Sequence, residues 1–299
     1  MTSWWSTAAS SSDASPNGSK AAVRSASVPG PFAFDQDTAV VASGPGRWTG
    51  TVSNRWDIGV VPNGGYVLSI AVAALRSAID HPHPLTVTAH YLGPCHSGSV
   101  DVAVDVVKQG RTLSSATARL AQDGREKLLV LASFGDLSRQ DGPSLVSARP
   151  PELPEPDAFV TDPADRPSPF PVAPTITRRV EFRPSPRTAE ALIQERKGDA
   201  RVEGWMRFTD GREPDTDCLP LFCDALPPAV FAAMTTGWVP TLELTVHVRG
   251  VPEPGWIAAR AVSRFIVDGL LEEDCELWDS AGHLVAMSRQ LARVLPRAE

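Results

Sequence analysis

The feature that most constrains how this 299-residue chain can fold is an internal repeat. The block Leu85-Thr-Val-Thr-Ala-His90 followed by Gly98 returns as Leu242-Glu-Leu-Thr-Val-His247 followed by Gly255, and both pairs lie 157 residues apart (247 minus 90, 255 minus 98). An ungapped repeat of strand-like residues favours two copies of one unit over two unrelated α+β domains. It also lets one copy keep reactive residues that the other has lost.

With 42% apolar residues the chain can bury a large core. Its formal net charge of -7 argues against a nucleic-acid binder, whose affinity comes largely from Lys and Arg neutralising phosphates. Cys95, Cys218, Cys223 and Cys275 are far apart with no C-x-x-C pair, so they read as ordinary thiols rather than a zinc knuckle or redox dithiol. No metal site and no cofactor is spelled out. The Ser- and Ala-rich start lacks the apolar core of a secretory signal, no run is long enough to span a membrane, and the final Arg297-Ala298-Glu299 is not a peroxisomal signal. A cytoplasmic protein is expected.

The composition divides the chain into a disordered tail over residues 1–30, a first folded unit over 31–136, a Pro-rich linker over 137–175 and a second unit over 176–299. In the first unit a strand is expected over 46–54. Pro62-Asn63-Gly64-Gly65 then opens a helix over 65–80, with Asn63 as N-cap. Tyr66 to Leu75 is apolar on nearly every face, so that helix must be enclosed. Strands follow over 85–92, 99–108, 113–122 and 127–134, the last after the Asp123-Gly124 turn signal. The second unit reads as strands over 178–182 and 200–208, a helix over 218–225 and a repeated meander over 242–295. One apolar helix and one antiparallel sheet, twice over, fit two curled antiparallel sheets, each wrapped round a central helix and joined edge to edge. This is the α+β double hot-dog arrangement.

Three polar positions stand out in the second copy. Asp224 is the one charge in the apolar helix 219–231, where a carboxylate is costly unless it is bonded or functional, although a helix cap or a solvated side chain would also explain it. Thr241 belongs to the polar odd face of its strand with Glu243, Thr245, His247 and Arg249, and that face is either solvated or lines a cleft. Gln290 lies deep in the last strand. The 157-residue offset puts Val67 opposite Asp224, Pro84 opposite Thr241, and Ala132 or Phe134 opposite Gln290. The trio therefore belongs to the second copy alone, giving one site per chain.

Taken in order, Pro62-Asn63-Gly64-Gly65-Tyr66, His90-Tyr-Leu-Gly-Pro94, Asp224-Ala-Leu-Pro, Val239-Pro-Thr241-Leu-Glu-Leu-Thr-Val-His247 and Leu284-Val-Ala-Met-Ser-Arg-Gln290 resemble the acyl-CoA thioesterase II family, the TesB-like double hot-dog thioesterases. The resemblance covers roughly residues 40–296. It implies an enzyme of fatty-acid and lipid metabolism that hydrolyses acyl-CoA to a free carboxylic acid and CoA, with water held by Asp224, Thr241 and Gln290 as the catalytic residues. Asn63, Gly64, Gly65, Tyr66 and Arg249 are the expected substrate-binding residues. Free N–H groups at the helix start could meet the developing oxyanion, although Gly64 and Gly65 could equally serve only the helix start and its packing. Arg249 and Arg293 are candidates for the CoA phosphates, against the plainer reading of solvated arginines.

Two rival functions remain at this point. One is a non-catalytic acyl-CoA-binding protein of the same fold. The other is a hot-dog enoyl or 3-hydroxyacyl thioester hydratase or dehydratase, which is weakened by the lack of a His on either expected helix. His90 and His247 have no third ligand at useful spacing and read as structural. Acyl-CoA is the expected partner, with no nucleic acid and no membrane. Homo-oligomers of the double unit through leftover sheet edges stay open.

Overall fold

A computed structural model describes residues 32–158, 174–193 and 198–296. The expected disordered tail, and part of the expected linker, lie outside these residues.

A short helix α1 (Ala33–Asp37) precedes strands β1 (Val40–Gly44) and β2 (Arg47–Val52) and the small ladder of β3 (Asp57–Ile58) with β4 (Val61–Pro62). Helix α2 (Gly64–Ala78) and strands β5 (His83–Tyr91), β6 (Gly98–Gln109), β7 (Leu113–Gln122) and β8 (Arg125–Gly135) complete the first half. The second half runs β9 (Val180–Pro184), α3 (Pro186–Ile193), β10 (Arg201–Phe208), α4 (Leu219–Phe222), α5 (Val230–Ala233), β11 (Thr241–Val248), β12 (Ile257–Val262), β13 (Ile266–Val267), β14 (Leu270–Trp278) and β15 (Leu284–Arg293). Those strands up to β10 that were expected from sequence fall within two residues of their expected bounds.

The two sets of strands join edge to edge through β5 and β11 into one antiparallel sheet of 13 strands, ordered β1-β2-β6-β7-β8-β5-β11-β15-β14-β12-β10-β9 with β13 beside β14. The order reads as mirror halves about the β5–β11 seam. At that seam Thr88 lies directly opposite Thr245, its own equivalent at the 157-residue offset (245 minus 88), and the two hydroxyls hydrogen-bond at 3.0 Å. A local twofold relation therefore passes between these threonines. The repeated Gly98 and Gly255 both take positive φ, +142° and +113°, which explains why both copies keep a residue without a Cβ there.

Helix α2 is enclosed, as its all-round apolar surface requires. Gly65 to Val72, Ala74 and Leu75 are all buried, and the helix packs on β5 to β8 and on α4. Asn63 caps it, its Oδ1 accepting the Tyr66 N–H at 2.9 Å. The second half departs from the expected single helix over 218–225: α4 has only four residues, and α5 follows after a break. Pro227 and Pro228 explain the break, since proline lacks the N–H a helix needs and pushes the preceding residue out of helical geometry.

Residues 140–155 form no regular element. They are tied to the second half's strands where the Trp205 Nε1 donates to Pro154 O at 2.8 Å and Arg260 Nη2 to Arg149 O at 2.8 Å. Among the described residues no helix is long and apolar enough to cross a membrane.

Candidate active site

A cavity of about 710 Å³ opens where the two halves meet, between the start of α2 and the strands β11, β14 and β15. Asp224, Thr241 and Gln290 all line it, together with Asn63 and Gly64.

Asp224 sits in the loop after α4, and protein surrounds it while part of its surface faces the cavity. Its Oδ2 accepts the Gly65 N–H at 2.7 Å and the Asn63 Nδ2 at 2.9 Å, and the same Asn63 nitrogen also donates to the Asp224 carbonyl at 2.9 Å. A carboxylate of the second half thus rests on the helix N-terminus of the first, where the macrodipole favours negative charge. Burial nevertheless pushes its pKa up from 3.8 to about 6, with the bonds from Gly65, Asn63 and Gly64 pulling the other way.

The two glycines are explained by this approach. A Cβ on Gly65 would lie 2.8 Å from Asp224 Cβ and 2.9 Å from Pro220 O, and one on Gly64 would lie 3.1 Å from Asp224 Oδ2. The Gly65 and Tyr66 N–H groups are already committed to Asp224 and Asn63, and Val67 N donates to Asn63 O at 3.2 Å. The helix start therefore spends these donors on Asp224 and Asn63, which favours, of the two sequence alternatives, glycines that serve the helix start and its packing.

Thr241 reaches the cavity by way of a β-bulge. The ladder of β11 with β15 slips between Thr241 and Glu243, so Thr241 lies opposite Ala292 on the inner face, while Glu243, Thr245 and His247 keep the opposite face. The Thr241 hydroxyl donates to Gln290 Oε1 at 2.7 Å. Gln290 Nε2 donates in turn to Glu273 Oε1 at 2.8 Å, and Glu273 Oε2 accepts the Ala229 N–H at 2.6 Å. Glu273 is 4% exposed, and its burial, with the nearby Asp224 charge acting in the same direction, pushes its pKa up from 4.5 to about 7. Sequence reasoning missed Glu273. Its signal was present, because Leu271, Cys275 and Leu277 share its face of β14 and all are buried.

The same bulge occurs in the first half, where β5 and β8 slip between Pro84 and Thr86. Val87 opposite Ala132 matches Leu244 opposite Gln290, so Ala132, not Phe134, is the partner of Gln290 across the repeat. Ala116 opposite Ala132 likewise matches Glu273 opposite Gln290. The first half holds Val67, Pro84, Ala116 and Ala132 where the second holds Asp224, Thr241, Glu273 and Gln290.

Three expected substrate-binding residues, Gly65, Tyr66 and Arg249, do not line the cavity. Tyr66 is buried against Trp56, their rings stacked at 5.2 Å, and its hydroxyl bonds Asp37 O at 3.0 Å and the Ser53 N–H at 2.9 Å, so it braces the fold. Arg249 bonds Val248 O at 2.9 Å, and neither it nor Arg293 lines the cavity. Among the described residues, the one Lys or Arg that lines the cavity is Lys127, on β8 beside Gly93. Tyr91 also lines the cavity, and its buried hydroxyl has no hydrogen-bond partner among the described residues. Among the described residues no His lines the cavity.

Comparison with known proteins agrees with this architecture. Residues 52–135 match the family description of an acyl-CoA thioesterase N-terminal domain, and residues 150–294 that of an acyl-CoA thioesterase C-terminal domain. A crystal structure assigned as thioesterase II from Thermobifida fusca is 32% identical, with TM-score 0.79, covering 89% of this chain and 99% of that one. A protein of unknown function with a hot-dog fold from Alicyclobacillus acidocaldarius is 24% identical with TM-score 0.74, over 89% of this chain and 99% of that one. The acyl-CoA thioesterase II TesB2 of Mycobacterium marinum shares the fold at 17% identity and TM-score 0.67, over 89% and 99% of the two chains. This chain belongs to the acyl-CoA thioesterase family of TesB-like, hot-dog-fold proteins, and is a thioester hydrolase.

Proposed function

We propose that this protein hydrolyses acyl-CoA to the free carboxylic acid and CoA, with a water held by Asp224, Thr241 and Gln290 as the nucleophile. The observation that carries this reading is the convergence of these three side chains on one cavity, with nonpolar residues at every equivalent position in the first half.

The hydrogen bonds suggest how the water is used. With Asp224 Oδ2 anchored by Gly65 and Asn63, Oδ1 is left to take a proton from water. The Thr241 proton is committed to Gln290, so the Thr241 oxygen offers lone pairs to the same water. A water donating to both acceptors directs its own lone pair outward, at the thioester carbonyl carbon. Its addition forms a C–O bond as Asp224 takes the proton. Collapse of the tetrahedral intermediate then breaks the C–S bond, and the sulfur leaves with that proton. The Tyr91 hydroxyl, near Gly64 and without a partner among the described residues, is a donor for the developing oxyanion. Lys127 supplies positive charge for a CoA phosphate.

Release of free thiol from a panel of acyl-CoA substrates by the purified, folded protein tests the reading. Turnover of at least one is expected, and none across short, long, branched and aromatic acyl chains would overturn it.

A further inference from the structure

We infer that Glu273 is a positioning residue that fixes the direction of hydrogen-bond donation through Gln290 and Thr241, so that the cavity wall presents the water with a lone pair and not a proton. This rests on the hydrolytic reading of the same site.

Both Glu273 oxygens act as acceptors. Ala229 N–H can only donate, and it occupies Oε2 at 2.6 Å. Gln290 turns its amide nitrogen to Oε1 at 2.8 Å. An ionised carboxylate can accept but not donate, so the amide oxygen of Gln290 must face the other way, toward Thr241. Thr241 then donates to that oxygen at 2.7 Å and keeps only lone pairs for the cavity. A neutral Glu273 could donate to Gln290 instead and turn its amide over. Gln290 would then donate to Thr241, whose proton would point at the water and occupy a lone pair needed for attack.

The fold itself does not need this carboxylate. Ala116 holds the equivalent place in the first half, on the same kind of strand in the same register. Burying a carboxylate is costly, which makes a purely structural role a poor account of Glu273. The ionisable groups bearing on it are Asp224 from the loop after α4 and the Cys275 thiol on its own strand, while Gln290 from β15 and the Ala229 N–H stabilise its charge.

The test measures kcat, KM and their pH dependence for the wild type, Glu273→Gln, Thr241→Val and the double variant, with thermal unfolding as a control. In Glu273→Gln the new amide oxygen can keep the Ala229 bond while its nitrogen forces the reversed Gln290. A kcat loss on the order of 10-fold or more is expected, with KM within about threefold of wild type. One ionisation should vanish from the acid limb of the kcat profile, and Glu273→Gln should cost little further in the Thr241→Val background. A kcat within about twofold of an active wild type, or losses that multiply in full in the double variant, would overturn the role of Glu273. Should Glu273→Gln not fold, Glu273→Ala, which copies Ala116, is read against the same criteria. A wild type without turnover would instead sink the hydrolytic reading.

Discussion

The Asp224 carboxylate, from the second half of the chain, accepts the backbone N–H of Gly65, from the first, at 2.7 Å. Neither half holds this arrangement alone. The duplication places a helix N-terminus from one copy beneath an acid from the other, and the local twofold relation marked by Thr88 and Thr245 sets the two units in that register. The equivalent position to Asp224 is Val67, so the reciprocal site lacks its acid.

Gly65→Ala is expected to damage both stability and activity. The added Cβ meets Asp224 Cβ at 2.8 Å, Pro220 O at 2.9 Å and Leu221 Cα at 3.0 Å, and two of these atoms are backbone that cannot swing away. An overpacking cost of about 1–3 kcal/mol follows, read from the denaturation midpoint, with a loss of kcat because Asp224 must shift. An unchanged midpoint would show that α4 yields freely to α2.

The pH dependence should run in opposite directions for activity and stability. Asp224 must be ionised to take a proton, so kcat should fall as pH drops through about 6, the value to which burial pushes it. For folding, its pKa is raised above the ordinary 3.8, so the favourable contribution is present below about pH 4 and lost as pH rises through about 6. Glu273 acts in the same sense, losing its contribution as pH rises through about 7. Unfolding temperatures measured from pH 8 down to 5.5 should rise where these two groups dominate, and the rise should shrink in Asp224→Asn.

Much of the fold was legible because its signals are local. The α2 start shows in Asn63-Gly64-Gly65, the strands in their two-residue alternation, and the duplication in the His90 and His247 blocks. What was not legible depends on register. Thr241 shares its odd parity with Glu243 and Thr245, and only the bulge turns it inward. Gly64 and Gly65 suggested an oxyanion hole, but α4 and Asp224 occupy that space, a contact between residues 159 positions apart for Gly65 and Asp224. Glu273 stands among the acidic residues Glu272, Asp274 and Glu276, and only its alternation with the buried Leu271, Cys275 and Leu277 sets it apart from them.

We propose Lys127, rather than Arg249 or Arg293, as the cation for CoA phosphates, because among the described residues it is the one Lys or Arg that lines the cavity. Lys127→Ala is expected to raise KM for acyl-CoA roughly 3- to 30-fold, equivalent to about 0.7–2 kcal/mol, with kcat little changed. For the matching acyl thioester of N-acetylcysteamine, which has no phosphate, KM should stay the same. An equal rise with both substrates would show that Lys127 does not meet phosphate.

The most direct test of the central claim compares kcat for thiol release from acyl-CoA by wild type and Asp224→Asn. The asparagine can keep the Gly65 contact through its oxygen while losing the base. A fall on the order of 10²- to 10⁴-fold is predicted, with the unfolding temperature at pH 8 equal to or above that of wild type. Undiminished turnover by the folded variant would contradict the account.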